Sequence, residues 1–331
     1  MRLALIGAGR IGKVHARTID LNPEVTLAAV ADVHVEAAEA LAQQYGVRAI
    51  SAEDMFEDDQ IDGVLIASST PTHADYLERA ARSGKAVLCE KPIALDLART
   101  REALRVLGTH PVTCALGFNR RHDPQFAALK RAIVDGRIGD LETLTIISRD
   151  PSPPPAEYVG ASGGLFRDMM IHDFDMARWL LDEPIVQVQA QGSCLIDPAI
   201  GEAGDVDTAM VILVTASGRL CHINNSRRAC YGYDQRIEAF GSAGMLQASN
   251  ETETRLRFTG EPGQVEEKPK WFFLERYAEA YSAEIHDFVD AWQQQRAPLA
   301  GAEDGLEALR LAEAAQQSLQ HRRSVSLDEI D

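Results

Sequence analysis

With 331 residues, 45% of them hydrophobic and 25% charged, the chain is long enough for about two globular domains with substantial cores. Its net charge of −17 argues against a general nucleic-acid surface or an anionic-membrane surface, and no apolar run is long enough to span a bilayer. The five cysteines, Cys89, Cys114, Cys194, Cys221 and Cys230, are scattered and form no CxxC pair, so reduced thiols in a cytoplasmic protein are expected rather than a disulfide framework.

The first residues read directly as a strand and a turn, not as a leader. RLALI (2–6) is a short apolar run ending at Gly7, and GAGRIG (7–12) places Gly7, Gly9 and Gly12 in GxGxxG spacing. KVHARTIDL follows as a helix, then VTLAAVA (25–31) as a second buried strand ending at Asp32, twenty residues beyond Gly12. Strand, glycine turn, helix, strand and acid form the dinucleotide-binding fingerprint in its required context. Gly7 permits the turn, Gly9 lets a pyrophosphate approach the backbone, and Gly12 lets the helix pack closely. Arg10 and Ile11 open the helix whose N-terminus faces the phosphates. A carboxylate at Asp32 accepts from the adenosine ribose hydroxyls and repels a 2′-phosphate, so NAD is expected over NADP.

The alternation continues with helices at 35–45 and 52–57, strand 63–67, helix 74–83, strand 86–90, helix 95–107 and strand 112–117. SSTPTH (68–73) follows a strand's C-terminal end, where α/β sheets bind ligands; Ser68, Thr70 and His73 are its candidate cofactor contacts. Glu90 and Lys91 stand at the equivalent end of the next strand. A lysine there can donate to a substrate hydroxyl, and the tight turn at Pro92 is compatible with a cis peptide. Residues 1–119 thus read as one parallel, doubly wound α/β domain.

Beyond Asn119 the pattern changes. A helix is expected at 123–135, then strand-like runs at 141–149, 184–192, 207–216, 219–227, 235–241 and 244–249, the later ones without intervening helices. Residues 120–331 therefore read as an α+β domain with a large, mostly antiparallel open sheet. The run AMVILV is apolar on both faces, which predicts helices on one side and another subunit on the other. Residues 150–162 read as a stiff, proline-rich loop framing the site.

The stretch 163–181, GGLFRDMMIHDFDMARWLL, reads as a single helix. Phe166, Met170, Phe174, Ala177 and Leu181 form its core stripe. Asp168, His172, Asp175 and Trp179 fall on the other side, with Asp168 and His172 four apart and hence neighbours. A carboxylate beside an imidazole orients it and stabilises its charged form, as a general base needs. With no cysteine or second histidine nearby, no metal is expected. Further helices are expected at 275–295, with Tyr277, Tyr281, Ile285, Phe288 and Trp292 as a core stripe, and at 302–320; the tail SVSLDEI adds a short strand.

With GAGRIG, Asp32, Glu90-Lys91-Pro92 and the GG…D…HD…D spacing of 163–175 in place, the chain resembles the glucose–fructose oxidoreductase/inositol dehydrogenase (Gfo/Idh/MocA) family over essentially its whole length. The resemblance implies an N-terminal Rossmann domain, a C-terminal sheet domain, and tetramers joined through the sheets. It implies Lys91, Asp168 and His172 as the catalytic trio. The segments GFNRRHD (117–123), SRDPSPPP (148–155) and NNSRRACYGYDQRIEAFGSAGML (224–246) are most similar to the bacterial inositol 2-dehydrogenases. Arg121 and a tyrosine, Tyr231 or Tyr233, match polyol-contacting positions there, Tyr233 being preferred. The implied activity is NAD-dependent oxidation of a cyclic polyol, myo-inositol to 2-keto-myo-inositol. Another inositol or a pyranose is the alternative substrate, and a catalytically silent NAD-binding regulator the more distant alternative.

Overall fold

The computed structural model describes residues 1–261 and 263–330. The chain divides into two compact units: Met1–His122 with Glu279–Leu309, and Asp123–Ala278 with Arg310–Asp331.

The first unit runs β1 (Arg2–Ile6), α1 (Arg10–Asp20), β2 (Thr26–Ala31), α2 (Val35–Tyr45), β3 (Arg48–Ala49), α3 (Ala52–Glu57), β4 (Gly63–Ile66), α4 (His73–Arg82), β5 (Ala86–Cys89), α5 (Leu97–Thr109) and β6 (Cys114–Leu116). Its six strands are parallel, in the order β3-β2-β1-β4-β5-β6. The order reverses beside β1, which places the ligand-binding crevice at that strand's C-terminal end. β4 and β5 are buried along their whole length, as expected of a parallel sheet covered on both faces.

The second unit contains α6 (Pro124–Val134), β7 (Leu141–Arg149), α7 (Ala156–Ser162), α8 (Gly164–Asp168), α9 (Ile171–Leu181), β8 (Ile185–Ser193), α10 (Pro198–Glu202), β9 (Thr208–Thr215), β10 (Leu220–Ser226), β11 (Asp234–Gly241), β12 (Gly244–Ala248), the hairpin β13 (Arg257–Gly260) and β14 (Gly263–Glu266), and α11 (Phe273–Arg276). The chain then forms α12 (Ala278–Gln294), α13 (Ala302–His321) and β15 (Val325–Ser326). Seven strands form one sheet in the order β12-β11-β7-β10-β9-β8-β15. Every neighbouring pair is antiparallel except β7 and β10. Along β9, Ala209, Val211 and Leu213 are buried while Met210 and Ile212 stay exposed, so AMVILV has one covered and one open face.

Two expectations need correction. The boundary set at 119/120 falls at 122/123, and residues 279–309 belong to the first unit. The cause is the apolar stripe of α12: Ile285, Phe288 and Val289 complete a core with Leu3, Leu5, Ile19, Leu27 and Leu88. Second, the proline-rich stretch is a loop only as far as Pro155, because Ala156–Ser162 is helical.

Candidate active site

In the first unit the fingerprint has the geometry its glycines require. Gly7 sits at φ 109°, and a Cβ there or at Gly12 would overlap a backbone carbonyl, that of Ala67 or of Gly7. Gly9 differs: a Cβ there meets no protein atom within 4 Å. It precedes α1, whose first turn has no side-chain cap and no acid, leaving donors for an anion. Arg10 is exposed and Ile11 half-buried at that end. Asp32 follows β2 with its carboxylate pinned, Oδ2 accepting from Ala8 N–H at 2.7 Å and Oδ1 from His34 N–H at 2.8 Å. These residues fit a dinucleotide: open backbone for the pyrophosphate and a fixed carboxylate for ribose hydroxyls.

Ser68 and Thr70 lie half-buried beyond β4, and Ser68 Oγ is 2.7 Å from Thr72 Oγ1. His73, expected among the cofactor contacts, carries its ring inside the unit. Nδ1 is 2.8 Å from the Pro92 carbonyl and Nε2 3.1 Å from that of Ser68. Burial, outweighing those contacts, holds its pKa below the usual imidazole value. The ring ties the 68–73 turn to the Lys91–Pro92 turn, whose peptide is cis. Glu90 is likewise turned inward. Its Oε1 lies 2.8 Å from His15 Nε2, and Oε2 accepts from Lys91 N–H at 3.3 Å. Lys91 itself is half-buried. Arg121 is 4% exposed; its guanidinium pairs with Asp304 at 2.8 Å and donates to the Leu299 carbonyl, which makes it a brace of this unit.

In the second unit the expected single helix is broken. Asp168 ends α8, and His172 is the second residue of α9. The Met169 and Met170 N–H groups both donate to Leu165 O, at 3.1 and 2.9 Å, and the α9 ladder restarts from Met170 O. One carbonyl serving two successive donors is the signature of a local widening of the helix, a device common at functional sites. The core stripe holds: Phe166, Met170, Phe174, Ala177 and Leu181 are buried. The opposite side is only partly open, because Asp175 and Asp173 are buried too, Asp173 accepting from Asn225 Nδ2 at 2.9 Å. Asp168 and His172 remain partly exposed.

Asp168 has two partners that sequence reasoning did not single out. Tyr158 on α7 donates to its Oδ1 at 3.2 Å, so the proline-rich segment does reach the site. Arg227, 1% exposed, brings Nη1 to 3.6 Å from Asp168 Oδ2 and Nη2 to 3.9 Å from Asp205 Oδ2. Asp205 in turn accepts from Leu165 N–H at 2.9 Å. Period-two alternation carried the signal: Cys221, Ile223 and Asn225 form the inward row of β10, and Arg227 continues it. Tyr233 is buried, its ring edge-on to Tyr277 at 5.9 Å. Tyr231 is more exposed and donates to Asp234 at 2.6 Å.

Two family models match the chain: "Oxidoreductase family, NAD-binding Rossmann fold" over residues 1–118 and "GFO/IDH/MocA C-terminal domain" over 126–247. The chain is 50% identical to the inositol 2-dehydrogenase of Rhizobium meliloti, over 99% of each chain. It is 44% identical to the myo-inositol 2-dehydrogenase of Thermotoga maritima, over 100% of this chain and 99% of that one. The solved scyllo-inositol dehydrogenase of Lactobacillus casei, with bound NAD(H) and scyllo-inositol, matches with a TM-score of 0.91 at 30% identity over 99% of each chain. The chain belongs to the GFO/IDH/MocA oxidoreductase family.

Proposed function

We propose that this member of the family is an NAD-dependent inositol 2-dehydrogenase, oxidising myo-inositol at C2 to 2-keto-myo-inositol. The observation that carries the reading is that one chain joins the pinned Asp32 and open Gly9 of a dinucleotide site to a partly exposed aspartate and histidine, Asp168 and His172, on either side of a helix break. Full-length similarity to inositol 2-dehydrogenases supports the choice of substrate.

NAD, when bound, accepts the hydride, and the chain's own residues handle the proton and the developing charge. His172 takes the proton from the C2 hydroxyl. Asp168, held by Tyr158 and Arg227, orients the imidazole and stabilises its charged form. Lys91 donates to the substrate oxygen and stabilises negative charge as it develops. In this reading Tyr233 shapes the polyol subsite, and Arg121 braces its own unit through Asp304 and the Leu299 carbonyl.

The protein works in the cytoplasm in this reading, with its five cysteines as free thiols and no nucleic-acid or membrane partner. No helix among the described residues is long and apolar enough to cross a membrane. It forms a homotetramer through the open face of the seven-stranded sheet. Val186, Met210, Ile212, Leu220, Phe240 and Met245, exposed to between 42 and 51%, form an apolar surface that a second copy would cover.

Initial rates of NADH formation with myo-inositol, scyllo-inositol and glucose, each with NAD and NADP, test the reading. Myo-inositol with NAD is expected to give the highest kcat/KM. A preference for another polyol would move the error to the hydroxyl contacts. Tight NAD binding without turnover of any polyol would overturn the enzyme assignment.

A further inference from the structure

His15 lies one helical turn beyond the glycine fingerprint and has no part in it. Its ring is 1% exposed, with Nε2 2.8 Å from Glu90 Oε1 and its edge against the Tyr281 ring, centroids 5.5 Å apart at 88°. Glu90 has little freedom. Gly117 packs against its carboxylate so closely that a Cβ there would lie 2.8 Å from Oε2, and the same oxygen accepts the Lys91 N–H. Three residues along α12 from Tyr281, and hence on the same side of the helix, stands Glu284, 2% exposed with neither carboxylate oxygen hydrogen-bonded among the described residues. His15, Glu90, Tyr281 and Glu284 belong to one compact unit.

We propose that His15 is a positioning residue for the catalytic lysine, acting through Glu90: it fixes the Glu90 carboxylate so that the Lys91 turn is held in one geometry beside one negative charge. The proposal rests on the reading of Lys91 as catalytic.

Every element packed around Glu90 contributes to its charge state. Burial alone would favour the protonated acid. The hydrogen bond and charge of His15 from α1, with Lys91 on its own turn and His73 from α4, outweigh burial and hold the Glu90 carboxyl below its ordinary range. On α12, burial, aided by Glu90 and Asp287, pushes Glu284 well above that range. Two neighbouring acids therefore divide the roles, Glu284 keeping its proton and Glu90 giving its own up. Without His15, Glu90 faces the same burial with its closest hydrogen-bond donor gone. It would then hold its proton to higher pH and turn from a fixed anion into a neutral neighbour of Lys91.

The test uses the full chain with NAD and myo-inositol. His15→Ala is expected to lower kcat at least about tenfold, the scale of one charge-assisted hydrogen bond, while the NAD dissociation constant stays within about threefold. The acid limb of the kcat–pH profile should move up by about one pH unit, since that limb reports groups in the substrate complex. His15→Gln, which restores an N–H donor near the Nε2 position without the charge, should recover most of kcat with the limb still displaced. A residue that merely filled space would move neither the limb nor the split between kcat and NAD affinity. If His15→Ala melts or fails to bind NAD, His15→Gln decides alone, and a wild-type limb in it overturns the proposal. Lys91→Met separates the two claims. Wild-type turnover in that variant removes the catalytic lysine and the proposal with it. An inactive Lys91→Met alongside unaltered His15 variants overturns the proposal only.

Discussion

Arg227 lies behind Asp168, its Nη1 3.6 Å from the Asp168 carboxylate and its side chain 1% exposed. Two acids, Asp168 and Asp205, look toward this one guanidinium. Removing it takes the guanidinium away from both carboxylates. Arg227→Met keeps the volume and deletes the charge, and it is expected to cost about 2 kcal/mol of stability, less than a fully buried pair because Asp168 is partly exposed. It should also lower kcat/KM for myo-inositol by at least about tenfold, with NAD affinity unchanged. Thermal melts and steady-state kinetics check both parts.

Asp168 and His172 are singled out in the sequence by their four-residue spacing, but the helix break between them is not legible there. Spacing assumes an unbroken 3.6-residue period, and the double use of Leu165 O breaks that period between the two residues. Five strands of the parallel sheet were legible because each is a short apolar run ending in a glycine or a turn, while the exposed two-residue β3 (Arg48–Ala49) was not, and Gly7, Gly9, Gly12 and Asp32 stand where the fingerprint requires. What escaped was the partnership of residues distant in sequence. His15 meets Glu90 across 75 positions and Arg227, just beyond β10, meets Asp168 at the end of α8, and no local pattern carries such pairs. The return of α12 to the first unit was hidden for a related reason: an apolar stripe announces that it will be buried, not against which sheet.

His172→Ala is expected to reduce kcat by about 10²–10⁴-fold, the usual contribution of a positioned general base, while NAD binds as before, because the dinucleotide residues lie in the other unit. Asp168→Asn should fall short of that loss, since the amide oxygen still accepts a hydrogen bond but carries no charge to stabilise a protonated imidazole. Wild-type kcat in His172→Ala would remove it as the base.

Asp32 accepts two backbone N–H groups just beyond the end of β2. Asp32→Ser should weaken NAD and relieve the repulsion of a 2′-phosphate. The ratio of kcat/KM for NADP to that for NAD is expected to rise at least about tenfold. An unchanged ratio would mean that discrimination lies elsewhere.

Glu284 gives a pH dependence of known sign. Its ordinary value is 4.5, and in the folded chain burial raises it well above that. Below about pH 4.5 both states hold the proton and the group is neutral toward folding. As pH rises past that point the unfolded chain releases the proton and the folded chain keeps it. Stability therefore falls by about 1.4 kcal/mol per pH unit until the folded pKa is reached. Glu284→Gln removes this penalty, so the variant should be more stable than the wild type at pH 7 and gain little at pH 4. A stability difference that is the same at both pH values would show that Glu284 is ionised in the fold.

The central claim is hydride transfer from C2 of myo-inositol to the nicotinamide, and isotope transfer tests it most directly. Myo-inositol deuterated at C2 would be incubated with NAD and the protein, and the reduced cofactor examined by mass spectrometry. The account predicts one deuterium in the NADH and a slower turnover than with unlabelled substrate. NADH formed without deuterium would show oxidation at another carbon, and no NADH from myo-inositol at all would contradict the assignment of this chain as an inositol 2-dehydrogenase.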